Sequence, residues 1–155
     1  MASHAFSPSG LLGIAPRRQM TGPRRVDSPI MARVDAFLTT ARRAGRRAIM
    51  IVDNKCGDGR MLIRVAKRAS ALGFIVVDAR GFDRAPEHIE RARAAARFCR
   101  DPNIRLNFAL REGSAPLLLD DEADLMLADP DEDPPSALQE LTWSGGVLID
   151  RGGAS

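Results

Sequence analysis

Apolar residues along the chain fall into two alternating patterns. Ile30, Val34, Phe37 and Ala41 recur at helical spacing, with Met31 and Leu38 beside them, and predict an amphipathic helix ending near Gly45. Ala48-Ile49-Met50-Ile51-Val52-Asp53 follows as a continuous apolar run, the pattern of a strand covered on both faces. The turn Cys56-Gly57-Asp58-Gly59 leads to a second helix marked by Met61, Leu62, Val65, Ala66 and Ala69. Phe74-Ile75-Val76-Val77-Asp78 reads as a second buried strand. Pro86 opens a third helix, with Ile89, Ala92, Ala96 and Cys99 on one face, because a first helical turn does not need the missing proline N–H. Ile104 to Phe108 alternates as a third strand, and Asp124 to Ala128 reads as a fourth. Ser136 to Leu141 reads as a short helix, and Val147 to Asp150 as a fifth strand.

Strands alternating with helices predict an α/β fold, a parallel sheet of about five strands with helices on both faces in three layers. Such sheets bind ligands outside the carboxyl ends of their strands, where the strand order reverses. Chemistry is therefore expected in the turns after the first four strands.

Residues 1–28 lack periodicity, carry several Ser, Gly and Pro, and contain no acid before Asp27. They read as a basic leader ahead of one domain over 29–155. An arginine-rich, acid-poor leader is also how an organelle transit peptide is composed, whereas Leu11-Leu12-Gly13-Ile14 is too short for a secretory core. No apolar run approaches the roughly 18 residues of a membrane span, so a cytoplasmic protein is expected.

Charge is unevenly spread. Residues 1–48 hold nine Arg against two acids, 49–111 thirteen basic residues against seven acids, and 112–155 one against eleven. The net +3 thus hides a basic front and an acidic back. The front could attract nucleic acid, although no basic-aromatic platform accompanies it. Only two of the cations are lysines, which is also what a GC-rich genome produces. Two Cys and two His supply neither a disulfide framework nor a metal site. A Ser-His-Asp triad could use only His88, which reads as a helix-surface residue; Cys56 reads as a small turn residue, and Trp143 as a packing residue.

The turn Asp53-Asn54-Lys55-Cys56-Gly57-Asp58-Gly59-Arg60 carries the most information. Glycines let a ligand approach the backbone, and the helix start offers N–H groups. It is not the dinucleotide pattern G-x-G-x-x-G, because Leu62 stands where the last glycine would be, and it is not a Walker loop.

Four segments in order resemble the Rossmann-like class I S-adenosylmethionine-dependent methyltransferases. Ile51 to Arg60 resembles an apolar strand followed by D-x-G-C-G-x-G, and Gly81 to Arg93 resembles the end of the second strand and its helix. Glu112 to Leu117 with Asp120 to Ala128 resembles the G-D-A, LP and aDlvl segment; Pro135 to Leu141 with Gly145 to Ile149 resembles the entry to the fifth strand. The resemblance covers 48–150. It implies S-adenosylmethionine as cofactor and methyl transfer to an acceptor, a small molecule first. By position it places Cys56, Gly57 and Gly59 at the cofactor's methionine and ribose. Asp53 would anchor the turn and the ammonium end. Asp83 or Asp78 would accept the ribose hydroxyls, with Asp83 in the better-matching string. Ser114 would meet the adenine amino group. Apart from the resemblance, Asp129 in the acidic loop after the fourth strand is the candidate catalytic residue, to act as base or hold a cationic substrate.

The departures from the family pattern also carry meaning. Lys55 stands at the first glycine of the motif, where its charge would face the sulfonium or else point to solvent or pair with Asp58. Ser114 replaces an acid. Asp129-Pro130-Asp131 lacks the N/D-P-P-aromatic signature of amino-group methyltransferases. The family's last two strands do not follow. The fifth strand is then an edge needing a second copy, a partner or the leader to cover it. These departures keep open a non-catalytic methyltransferase-like binding or interaction domain. A phosphoacceptor receiver domain needs a lysine after the fifth strand, and no lysine follows Lys67.

Overall fold

A computed structural model describes residues 29–112, 122–129, 140 and 142–151. Among the described residues three helices and five strands follow in the order α1 Pro29–Arg43, β1 Ala48–Asp53, α2 Arg60–Ala71, β2 Val76–Asp83, α3 Pro86–Ala96, β3 Ile104–Leu110, β4 Ala123–Ala128 and β5 Thr142–Asp150. All strands are parallel, in the order β3-β2-β1-β4-β5. The α/β class and the five-stranded parallel sheet agree with the sequence expectation. The leader 1–28, Ser114, most of the acidic loop after Asp129 and most of the helix expected over 136–141 lie outside the described residues.

Helical periodicity sets the core. Met31, Val34, Leu38 and Ala41 of α1, Leu62, Val65, Ala66 and Ala69 of α2, and Ile89 and Ala92 of α3 are buried in one cluster. They pack on Ile49, Ile51, Val77, Ala79, Phe108, Leu125, Leu127 and Ile149, the alternate residues of the strands. Among the described residues all three helices therefore share one face of the sheet. Met50, Val52, Phe82, Met126 and Leu148 form a smaller cluster on the other.

The second strand starts later and runs further than the apolar run suggested, from Val76 to Asp83 instead of 74–78. Its burial alternates, because Asp78 and Arg80 lie on the face away from the helices, where they pair at 3.0 Å. Phe74 is fully buried ahead of the strand while Ile75 is exposed. The third strand continues to Leu110, since β2 offers it a ladder through Asp83. The fifth begins at Thr142, pairing with β4 through an irregularity between Ala123 and Leu125. Helix α3 stops at Ala96, short of Cys99. No helix among the described residues is long and apolar enough to cross a membrane.

Candidate functional site

The strand order reverses between β1 and β4, so a crevice opens at the carboxyl ends of β1, β2 and β4. Asp53 ends β1 and Asp83 ends β2, and the turn joining β1 to α2 lies above both. Cys56 N–H donates to Phe82 O at 2.8 Å, and Gly57 N–H donates to Asp83 Oδ2 at 2.8 Å. The end of the second strand thus holds the glycine turn in place.

The two glycines have different duties. Both have positive φ, +56° at Gly57 and +75° at Gly59, where a side chain is strained. A Cβ on Gly59 would lie 2.8 Å from Phe108 Cζ and 2.9 Å from Ala92 Cβ. Gly59 therefore lets α2 start tight against β3 and α3. A Cβ on Gly57 meets nothing within 4 Å. Gly57 is the position where the backbone faces open space.

Asp83 is buried and engaged. Besides Gly57 N–H, its carboxylate accepts Ala85 N–H at 2.9 Å and lies 3.0 Å from His88 Nδ1. Burial pushes its pKa up, but these hydrogen bonds outweigh that and hold it below the usual carboxylate value. A carboxylate has about four acceptor positions, so three partners leave room for one more. Asp78 lies far from this point. It pairs in register with Met50, near the start of β1, five residues before Asp83. The structure brings Asp83 to the glycine turn and leaves Asp78 away from it.

Asp53 is placed under the turn and not in the crevice. It is fully buried, and its Oδ1 accepts Arg151 Nη1 at 2.7 Å and Lys55 N–H at 3.2 Å. Arg151 Nη1 also donates to Lys55 O at 2.7 Å. Burial raises the Asp53 pKa to about 6 despite the guanidinium. The Cys56 thiol is pushed to about 12 by burial and by the nearby Asp53 and Asp83 carboxylates, so it stays protonated.

Lys55 does not pair with Asp58, whose carboxylate binds Arg60. Its Nζ reaches Asp129 Oδ2 at 3.2 Å, from the β1 turn to the end of β4. Asn54 reinforces this link, since its Oδ1 accepts Asp129 N–H at 2.8 Å. The crevice is thus braced on its β4 side and open at Gly57 on its β2 side. Among the described residues no group of three or more His, Cys, Asp or Glu side chains could hold a metal.

Sequence reasoning missed Arg151, Asn54 and His88. Arg151 carried one usable signal, a cation directly after a strand whose carboxyl end borders the crevice. Asn54 and His88 carried none, because their partners are distant or depend on a longer β2.

No family model and no curated protein matches the sequence. Among solved structures, a Listeria monocytogenes protein assigned to the class I S-adenosylmethionine-dependent methyltransferases superposes with a TM-score of 0.62 at 22% identity, covering 89% of this chain and 47% of that one. A methyltransferase of this kind from Thiobacillus denitrificans, in complex with S-adenosyl-L-homocysteine, gives 0.56 at 19% identity, covering 83% and 51%. One from Geobacter sulfurreducens, with the same ligand, gives 0.53 at 19%, again covering 83% and 51%. The chain spans about half the length of these solved structures. It has the fold of the class I S-adenosylmethionine-dependent methyltransferases.

Proposed function

We propose that this chain binds S-adenosylmethionine at the Gly57 turn and forms the cofactor-binding part of a methyltransferase. The observation that carries this reading is Gly57. Its backbone faces open space at the strand switch point, and its N–H is bonded to the buried Asp83. The residues there fit the cofactor at two places. Gly57 leaves room against the backbone, and Asp83 keeps acceptor capacity for a ribose hydroxyl. Charge-assisted bonds are the stronger kind, and the depressed pKa keeps Asp83 ionised for that role. Asp53 supports the turn from beneath, in place of the ammonium contact that the family resemblance implies.

When bound, the cofactor supplies an activated methyl group on a sulfonium. The chain's own residues position and shield. Gly57, Gly59 and Asp83 fix the turn, Cys56 remains a neutral thiol, and Lys55 holds Asp129 at the rim. Asp129 is the candidate residue for orienting the acceptor, and the Lys55 ammonium holds it at the rim. Ser114 remains the candidate for the adenine edge. The acceptor is a small molecule. Unpaired Cys56 and Cys99 fit a reducing, cytoplasmic compartment.

A second reading has a specific observation in its favour. Lys55 and Asp129 cross the crevice beside Gly57, and this suits a domain that has given up turnover. Calorimetry with S-adenosylmethionine and S-adenosylhomocysteine, on wild type and Lys55→Gly, separates the two. Micromolar binding by wild type supports the cofactor site. Binding by Lys55→Gly alone supports a site closed by the lysine. Absence of binding by both folded proteins overturns the methyltransferase reading.

A further inference from the structure

The amino ends of the parallel strands form the rim opposite the crevice, and α1, α2 and α3 each end there, ahead of β1, β2 and β3. Three connecting segments meet on that rim. Ile75 N–H donates to Arg47 O at 2.9 Å and Val77 N–H to Asn103 O at 2.8 Å, which holds the approaches to β1, β2 and β3 side by side. Between the last two lies a groove of about 410 Å³, lined by Ile75, Val76, Asp78, Pro102, Ile104 and Arg105.

This rim is apolar and cationic at once. Ile75 and Val76 are each 53% exposed, and Phe98, two residues past α3, is 82% exposed. Arg43, Arg47, Arg97, Arg100 and Arg105 are exposed on the same rim. Among the described residues none of these five guanidinium groups has a hydrogen-bond or ion-pair partner. The acids at these ends are engaged or stand apart. Asp78 binds Arg80, Asp124 binds Arg46, and Asp101 accepts Ser70 Oγ and Asn103 N–H. Glu122 and Glu140 lie ahead of β4 and β5, on the other half of the rim. Five unpaired cations against Asp101 leave the β3-β2-β1 half positive.

Cations alone would draw any polyanion. The apolar residues among them narrow the choice. Ile75 and Val76 offer no ring face to a base, and Phe98 is the single exposed aromatic residue there, so the rim is no stacking platform for a nucleic acid. A second copy turned onto the same rim would set like charges against each other. An anionic bilayer accepts both kinds of side chain, arginines at its headgroups and apolar residues at the acyl boundary. We infer that the chain docks on anionic lipid surfaces through this rim. Phe98, Ile75 and Val76 enter the headgroup boundary, and the arginines meet the lipid phosphates and carboxylates. The crevice, at the other ends of the same strands, then faces solution. Docking of this kind needs no spanning helix, and it does not depend on what the crevice binds.

Co-sedimentation of the full chain with vesicles tests it, using phosphatidylcholine alone and equal parts of phosphatidylcholine and phosphatidylserine. Wild type should pellet with the anionic vesicles only. It should be released as salt rises from about 0.1 to about 1 M and the screening length shrinks from about 10 to about 3 Å. Each arginine at such a surface is worth about fivefold, so Arg97→Gln/Arg100→Gln should lower the partition coefficient about thirtyfold. Phe98→Ser changes a side chain already open to water. It should lower partitioning about tenfold or more, with an unchanged circular dichroism spectrum. Arg33→Gln/Arg60→Gln removes the same charge from the crevice ends of α1 and α2 and should leave partitioning nearly unchanged. Failure of wild type to bind anionic vesicles at the lower salt overturns the inference. So does equal loss by the two arginine pairs, which would mean attraction by overall charge. Equal binding to phosphatidylcholine alone, or an undiminished Phe98→Ser variant, overturns it as well. Binding to polyglutamate or to single-stranded RNA in place of vesicles would assign the rim to a protein or a nucleic acid and reject the lipid.

Discussion

Arg151, one residue beyond β5, donates from Nη1 to Oδ1 of Asp53 at 2.7 Å, across 98 residues of sequence. Asp53 is fully buried, and among the described residues its Oδ2 has no hydrogen-bond partner. The guanidinium also holds Lys55 O, so one side chain ties the last strand to the first turn. Arg151→Met removes the cation bonded to the buried Asp53 carboxylate. Breaking such a pair costs about 3–5 kcal/mol. Urea unfolding should show a loss of that size, with Asp53→Asn/Arg151→Met recovering part of it.

Asp53 also sets a pH dependence with a definite sign. Its pKa rises on folding from 3.8 to about 6, so the folded chain holds this proton more tightly than the unfolded one. Its contribution is fully favourable below pH 3.8 and is lost as pH rises through about 6. The shift corresponds to roughly 3 kcal/mol in order of magnitude. Asp83 has the opposite sign: its pKa is lowered, so its contribution is present above the ordinary carboxylate value and lost in more acidic solution. Unfolding free energies measured from about pH 4 to pH 7 should lose less stability with rising pH in Asp53→Asn than in wild type. An unchanged slope would contradict the burial argument.

The two glycines of the turn should separate stability from binding. Gly57→Ala meets only the left-handed backbone penalty, about 1–2 kcal/mol, and fills the open space above the turn. Gly59→Ala adds collision with Phe108 and Ala92, a further 1–3 kcal/mol or so. Thermal melts should rank Gly59→Ala as the less stable. Calorimetry should show Gly57→Ala folded but weakened at least tenfold for S-adenosylhomocysteine.

Asp83→Asn keeps the shape of the carboxylate and loses its charge. The hydrogen bonds from Gly57 and Ala85 then become neutral ones, at a cost of about 1–2 kcal/mol. Cofactor affinity should fall at least tenfold while Asp78→Asn leaves it unchanged, because Asp78 lies five residues back along β2. Equal loss in both variants would mean that neither acid meets the ligand.

Cys56 should be unreactive in the native chain. Its thiol is buried and its pKa stands near 12, whereas Cys99 is half-buried. A thiol reagent at mild alkaline pH should titrate Cys99 promptly and reach Cys56 only after denaturant is added.

Much of the fold was legible along the chain. The apolar run from Ala48 to Asp53 and the helical spacings around Val34, Leu62 and Ile89 reported burial directly, because both depend on local period alone. The glycine turn was legible because its sequence breaks the period at a strand end. Asp78 and Arg80 were harder. Their polarity hid five further residues of β2, and only the partner strands show that one face of that strand accepts a charged pair.

The sequence alone determined the order of elements and the glycine turn, because each is set by residues near in sequence. Tertiary structure decided which acid stands beside Gly57, since that depends on where β2 ends in the ladder with β1 and β3. It also decided that Lys55 answers Asp129 and that Arg151 answers Asp53. Those pairings join residues 74 and 98 positions apart, and no local period carries a contact that only the parallel strand order brings together.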